Sequence, residues 1–412
     1  MKATSSEVRA ATRSGIKSHL TVIAALLSMV GPFTIDAYLP SFPDIEVEFG
    51  ISRSVLSQSL GGYLAAVAIS TLFWGPLSDR VGRRVVILSS MSLYILASVG
   101  CALATNANDF LLLRILQGLA ASGGLIAGRA MIRDAYDAQT AHKAMSQVMM
   151  LFAVAPAIAP VLGGWLHDLF GWRSVFWFLS GFGILLIGLV SCCIKETLAD
   201  EHQQSFHPIS VIQAYTRTIK NKQFLALVFS LSFTFAGLFI YIAGAPTVIY
   251  DFLGLGSDSF GLQFVPMVGG LMVGSFISSR LAHRWPTPRT VTAGFVVTGL
   301  AVLLNIILVN FFEANVLSVV SPLVFYAMGL AMVMPALTIL ALDCYPHHRG
   351  TAAAMQGFLQ MLITAAVASI AVPLLHMQLL HFVLGQIMFL SLALTLWVRI
   401  RQRIVSHTDI CR

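Results

Sequence analysis

Charge is what this sequence has least of. Only 10% of its 412 residues are Asp, Glu, Lys or Arg, where a soluble globule carries about a quarter. That scarcity excludes a disordered chain and a nucleic-acid-binding one, and it leaves a water-soluble globule without the polar surface it needs. Cysteine is sparse as well. Cys101, Cys192, Cys193, Cys344 and Cys411 make no even disulfide framework and no metal-ligand spacing. His347 and His348 stand beside Arg349, and His376 and His381 are five apart; neither set converges as a metal site would. No phosphate loop, nucleophile elbow or intramembrane catalytic pair is present, so no enzyme, resident metal or cofactor is expected. Long polar connections are missing too, save one between residues 195 and 222.

What fills the chain instead is apolar. Hydrophobic residues make up 57% and the mean hydropathy is +0.83. Runs of about twenty apolar residues match a bilayer core of ~30 Å, and twelve occur. They lie near 20–39, 55–74, 85–104, 109–131, 144–165, 173–194, 223–243, 260–280, 289–309, 317–340, 351–373 and 379–398. The first ends in Leu39-Pro40-Ser41-Phe42-Pro43 rather than at a small-residue cleavage site, so it is expected to stay as span 1. The fold class is thus an all-α polytopic membrane protein. Its organisation reads as a tail (1–19), six spans (20–194), a linker (195–222), six more spans (223–398) and a basic tail (399–412).

Orientation follows from the cations, which concentrate on the cytoplasmic side of a membrane. With both termini placed there, 22 of the 25 Lys and Arg fall at cytoplasmic ends, while Arg53 and Arg173 lie outside and Arg114 within span 4. The opposite loops collect Asp44, Glu46, Glu48, Asp168, Asp251, Asp258 and Glu313. Arg399, Arg401 and Arg403 flank the last span and suit anionic lipid headgroups rather than nucleic acid. An internal repeat supports the division into halves. GPLSDRVGRR (Gly75–Arg84), after span 2, has a counterpart 200 residues later, after span 8, in SFISSRLAHR (Ser275–Arg284).

Asp36 is the one carboxylate well inside a span. An ionised acid at that depth costs a few kcal/mol, so it is paired, protonated or functional. Arg114 is the one cation in mid-span, five residues from the outer end of span 4; Asp36 lies four before Pro40. At ~1.5 Å per residue both sit roughly 6 to 8 Å below the outer surface, and can face each other. Coupling of Arg114 to protonation of Asp36, directly or through water, would let proton and substrate compete. The alternative is a fixed structural pair.

Four segments carry a resemblance to a known family. The loop Gly75-Pro-Leu-Ser-Asp79-Arg80-Val-Gly82-Arg83-Arg84 resembles the signature loop of the major facilitator superfamily. Leu113-Arg114-Ile115-Leu116-Gln117-Gly118 is similar to its drug and proton antiporter motif. Ala155-Pro156-Ala157-Ile158-Ala159-Pro160-Val161-Leu162-Gly163-Gly164 is similar to its antiporter motif, with Ala155 and Ala159 where glycines are expected. With Thr34-Ile35-Asp36-Ala37-Tyr38-Leu39-Pro40, these resemble the Bcr/CflA family of drug-resistance transporters. The motifs cover the first half; the second half matches mainly in its span pattern.

The resemblance implies two six-helix bundles around a central cavity, drug export driven by the proton gradient and a bacterial inner (cytoplasmic) membrane. Span 5, with Pro156, Pro160, Gly163 and Gly164, is expected to be a bent hinge with a smooth packing face. Asp79, Arg80 and Arg84 are expected to latch the cytoplasmic side, with Arg83 in the same loop and Gly75 and Gly82 allowing tight turns. Candidate substrate contacts are Tyr38, Gln117, Met145, Met149, Phe233, Phe239, Tyr241, Gln356 and Gln360, because aromatic, Met and amide side chains adapt to varied amphipathic ligands. The expected partners are a small-molecule substrate, protons and membrane lipids, and a monomer is expected. The rival reading is a dedicated carrier of a nucleoside, an amino-acid product or a siderophore on the same scaffold, working by export or by inward proton symport.

Overall fold

The computed structural model describes residues 5–198, 215–216, 218–282, 284–346 and 349–410. It contains twelve helices long and apolar enough to cross a membrane. In order, spans 1 to 6 are His19–Phe49, Arg53–Val81, Arg83–Leu103, Ala107–Ala135, Gln139–Phe170 and Arg173–Cys193; spans 7 to 12 are Lys222–Ala243, Ser257–Ala282, Thr287–Phe311, Val316–Asp343, Arg349–Leu375 and Leu379–Gln402.

Helix starts are set by polar caps at the membrane surface, where free N–H groups would otherwise be unpaired. Ser52 accepts from the Val55 amide at 3.4 Å, Asn106 from Asp109 at 2.9 Å and Asp137 from Thr140 at 3.1 Å. Asn315 and Ser318 cap each other's amides at the start of span 10. Asp137 is fully exposed, and bonding to Thr140 holds its carboxyl below the ordinary range.

The helices outrun the apolar runs. The first is continuous from Ser5 to Asp36 and the last from Leu379 to Ile410, so the expected tails 1–19 and 399–412 are helical wherever they are described. Residues 199–214 and 217 of the linker, and His347 and His348, lie outside the described residues. Span 1 departs most from a plain helix. It breaks after Asp36 into a turn, a 3₁₀ turn at Leu39–Ser41 and a short helix at Phe42–Phe49, because Pro40 and Pro43 cannot supply amides to a continuing ladder.

Packing repeats between the halves. Span 1 packs on 4, 5 and 6, span 2 on 4, and span 3 on 4 and 6; in the same relation span 7 packs on 10, 11 and 12, span 8 on 10, and span 9 on 10 and 12. Two six-helix bundles result. Spans 2 and 11 and spans 5 and 8 join them. At the first seam a Cβ on Gly61 would overlap Ser369, which sits in a π-helical stretch, Val367–Ala371, inside span 11. We call the end with the Gly75–Arg84 loop the basic end and the opposite one the acidic end.

Candidate functional site

The deepest polar cluster is in the first bundle. Arg114 is wholly buried, and its guanidinium carbon lies 4.3 Å from the centre of the Tyr38 ring, 4.8 Å from Tyr63 and 5.9 Å from Phe176. Nη1 donates to Gln117 Oε1 at 2.5 Å and Nη2 to the Thr34 carbonyl at 3.3 Å. Around this core Gln117 donates to Ser98 Oγ at 2.8 Å, Thr34 and Tyr94 share a 2.6 Å hydroxyl bond, and Tyr38 and Ser59 share one of 3.0 Å. No carboxylate lies within ion-pair distance of Arg114 among the described residues. Ring faces and neutral oxygens stabilise the cation instead.

Asp36 ends the long first helix and is 4% exposed. Among the described residues it has no ion pair and no side-chain hydrogen bond. Of the expected coupling of Asp36 to Arg114, directly or through water, the direct ion pair is not formed among the described residues; Tyr38, Tyr63, Thr34 and Gln117 surround the guanidinium. Arg114 Nε and Tyr63 Oη are also buried without partners. A buried phenol and a guanidinium N–H without partners, in the same bundle as the buried Asp36, give the site spare capacity to take and hand on a proton or to hold water.

Tyr63 was not singled out in the sequence. Its only signal there is that Tyr63 and Gly118 fall at helix positions whose close packing brings span 2 onto span 4; a Cβ on Gly118 would overlap the Tyr63 carbonyl.

The nine candidate substrate contacts do not meet in one place. Tyr38 and Gln117 are fully buried members of the Arg114 cluster. Tyr241 is buried in the second bundle, where Asn305 donates to it at 2.9 Å and to Gln386 at 3.0 Å. Phe239 is 4% exposed and stacks on Phe235, and Phe233 stacks between Phe229 and Phe389. Gln356 donates to Thr338 at 3.0 Å, and Gln360 is half-buried on the same helix. Met145 is half-buried, and Met149 is exposed.

At the basic end the loop is organised by Arg83 rather than by Arg80 and Arg84. Arg83 is almost fully buried; it bonds Asp79 at 2.5 Å, Ser78 at 2.9 Å and Asp134 at 2.9 Å. Arg80 is exposed and forms no ion pair among the described residues, and Arg84 reaches the Ser191 carbonyl at 3.0 Å. Asp134, at the end of span 4, is turned inward to Arg83, while its neighbour Arg133 stays 71% exposed. Gly82 explains the choice. Its φ of +100° breaks the helix there and swings Arg83 inward. Glu196, from the end of span 6, then accepts from the amides of Arg83, Arg84, Thr197 and Leu198 at 2.9 to 3.0 Å. Gly75 has open space beside it. All these partners belong to the first half, so among the described residues the loop braces its own bundle.

Span 5 carries Pro156 and Pro160 inside one uninterrupted helix, Ala138–Phe170. Ala155 and Ala159 are fully buried. Gly163 lies against the Ala37 carbonyl and Gly164 against the Ser257 carbonyl, each too close to admit a Cβ.

Comparison with known proteins agrees with this architecture. The family model described as Major Facilitator Superfamily matches residues 23–369. The chain is 31% identical to the uncharacterized MFS-type transporter YdgK of Bacillus subtilis, over 90% of this chain and 95% of that one. It is 26% identical to multidrug resistance protein D of Escherichia coli, over 86% and 88%. A bacterial homologue of the human lysosomal transporter Spinster, solved in an inward-facing and unoccupied conformation, shares the fold with a TM-score of 0.73 at 16% identity, over 96% of this chain and 98% of that one.

Proposed function

Since the chain belongs to the major facilitator superfamily, and is thus a multi-pass membrane transporter rather than an enzyme, we propose that it exports small amphipathic compounds, drugs among them, in exchange for protons. We place it in the Bcr/CflA branch, as a monomer in the bacterial inner membrane with its basic end and both termini in the cytoplasm. The observation that carries the reading is Asp36, buried in the first bundle with no ion pair among the described residues, in the same bundle as the buried Arg114, which has none either. A carboxyl so placed is best accommodated neutral, and a carrier must take up a proton and give it up again in each cycle. Ionised, Asp36 would be drawn toward the field of Arg114, so protonation and substrate occupancy bias the same helices. The similarity to multidrug resistance protein D of Escherichia coli supports drugs as the substrate class. The basic end gathers the cations as the cytoplasmic side does.

The test uses acidified everted vesicles and a pH-sensitive dye. Several unrelated drugs are expected to collapse the gradient in vesicles of the wild type and not in those of Asp36→Asn at equal abundance. A response to a single nucleoside, amino acid or siderophore would overturn the drug reading in favour of a dedicated carrier. Equal responses in both proteins would remove Asp36 as the coupling group.

A further inference from the structure

At the basic end of the first bundle, spans 1, 3, 4 and 6 line a cavity of about 1030 Å³, large enough for a drug-sized ligand. Its wall is made where these helices leave their apolar stretches. His19 opens span 1, Arg84 is the second residue of span 3, Ala135 closes span 4 and Lys195 follows the end of span 6. That is the depth at which lipid headgroups flank the ~30 Å hydrocarbon core. The lining is divided: Leu20, Ala135 and Ile194 are apolar, while Arg84, Lys195 and His19 bring N–H donors, the first two with a full positive charge.

Two of the lining side chains lack an acceptor. Arg84 Nε and the Thr197 hydroxyl are buried with no partner among the described residues, although Arg84 Nη2 reaches the Ser191 carbonyl at 3.0 Å. The one carboxylate in the lining does not answer them. Glu196 is engaged by four backbone amides, those of Arg83, Arg84, Thr197 and Leu198, and neither Arg84 nor Lys195 forms an ion pair among the described residues. Buried polar groups as a rule have partners, so two open donors beside two cations suit an acceptor that carries negative charge.

We propose that this cavity binds the phosphate of an anionic phospholipid from the leaflet on the basic side, with Arg84, Lys195 and Thr197 as donors and the apolar part of the lining against the lipid's glycerol and first methylenes. A phosphodiester supplies several acceptor oxygens and one negative charge, which a guanidinium meets in charge-assisted hydrogen bonds. Basic pockets between helix ends suit this chemistry at a membrane surface. A free phosphate would meet the same donors but leave the apolar lining in water, which favours the lipid. Bound there, the lipid ties the start of span 3 to the end of span 6, at the turn that Glu196 caps.

Native mass spectrometry of the purified protein tests this by titrating phosphatidylglycerol, with phosphatidylcholine for comparison. The first phosphatidylglycerol should bind roughly ten-fold more tightly than phosphatidylcholine, whose own ammonium is unwelcome among cations. Lys195→Gln should weaken it roughly five-fold, the effect of one cation at a membrane surface, and Arg84→Gln roughly ten-fold, the effect of a hydrogen bond to a charged group. Thr197→Val removes a hydroxyl that bonds nothing in the protein, so it keeps the test open if Arg84→Gln fails to fold; it should weaken binding roughly three-fold. Joint replacement of Arg399 and Arg401 by Gln, exposed cations outside the cavity, should leave this first site unchanged. Equal affinity for the two lipids, or an equal loss in the Arg399 and Arg401 variant, would overturn the site in favour of general surface attraction. Unchanged affinity in the cavity variants would overturn it outright. Displacement of phosphatidylglycerol by inorganic phosphate alone would overturn the lipid in favour of a free anion.

Discussion

Arg114 brings a full positive charge to the middle of the first bundle, and two tyrosine rings stand where a carboxylate would be expected. A cation–π contact with a desolvated guanidinium contributes about 1 to 2 kcal/mol, and Tyr63 offers its ring without using its hydroxyl in any hydrogen bond. The two parts of that side chain can therefore be separated. In thermal unfolding of purified protein, Tyr63→Phe should melt close to wild type, whereas Tyr63→Leu should lose roughly the 1 to 2 kcal/mol of the ring contact. Equal losses in both would mean that the hydroxyl, not the ring, supports Arg114. At this scale the sequence was half legible. A lone acid and a lone base inside apolar spans stand out by their rarity, so Asp36 and Arg114 could be picked directly. Tyr63 could not, since a tyrosine within a span is common and its role depends on a ring approaching a residue 51 positions away in the chain.

The elements show the same division between what repeats and what depends on contact. The twelve spans were readable because a bilayer asks for the same apolar length each time, and the two-bundle packing follows the internal repeat. Helix ends were less readable, because the chain stays helical beyond the apolar run wherever polar caps allow it. The loop at the basic end misled for a specific reason: of Arg80, Arg83 and Arg84, the inward one is chosen by the backbone turn at Gly82, and that turn is held by Glu196, 114 residues later. A side chain at Gly82 would have to adopt a positive φ and would meet the Glu196 carboxylate. Gly82→Ala should cost about 1 to 3 kcal/mol, read as a lower melting temperature. Because part of that loss is the collision, the double variant Gly82→Ala with Glu196→Ala should lose less than the sum of the single variants. Strict additivity would show that Glu196 and Gly82 act independently.

At the scale of the whole molecule, the bundles are bonded to each other at one end. The cross-bundle hydrogen bonds and ion pairs among the described residues all lie at the acidic end, and the braces at the basic end stay within the first bundle. This is the arrangement of a carrier closed on the acidic side, with Asp36 buried in the first bundle. Opening that side must break the Arg53–Asp251 pair and the Tyr250 bond to the Pro40 carbonyl. In the antiport proposed above, proton and substrate would exchange control of one equilibrium.

The most direct test of that account is the proton released when a drug binds to purified, detergent-solubilised protein in unbuffered solution. The account predicts release of a proton on drug addition to the wild type and none from Asp36→Asn that still binds the drug. Release of the same size from Asp36→Asn would contradict it, because the proton would then be coming from another group.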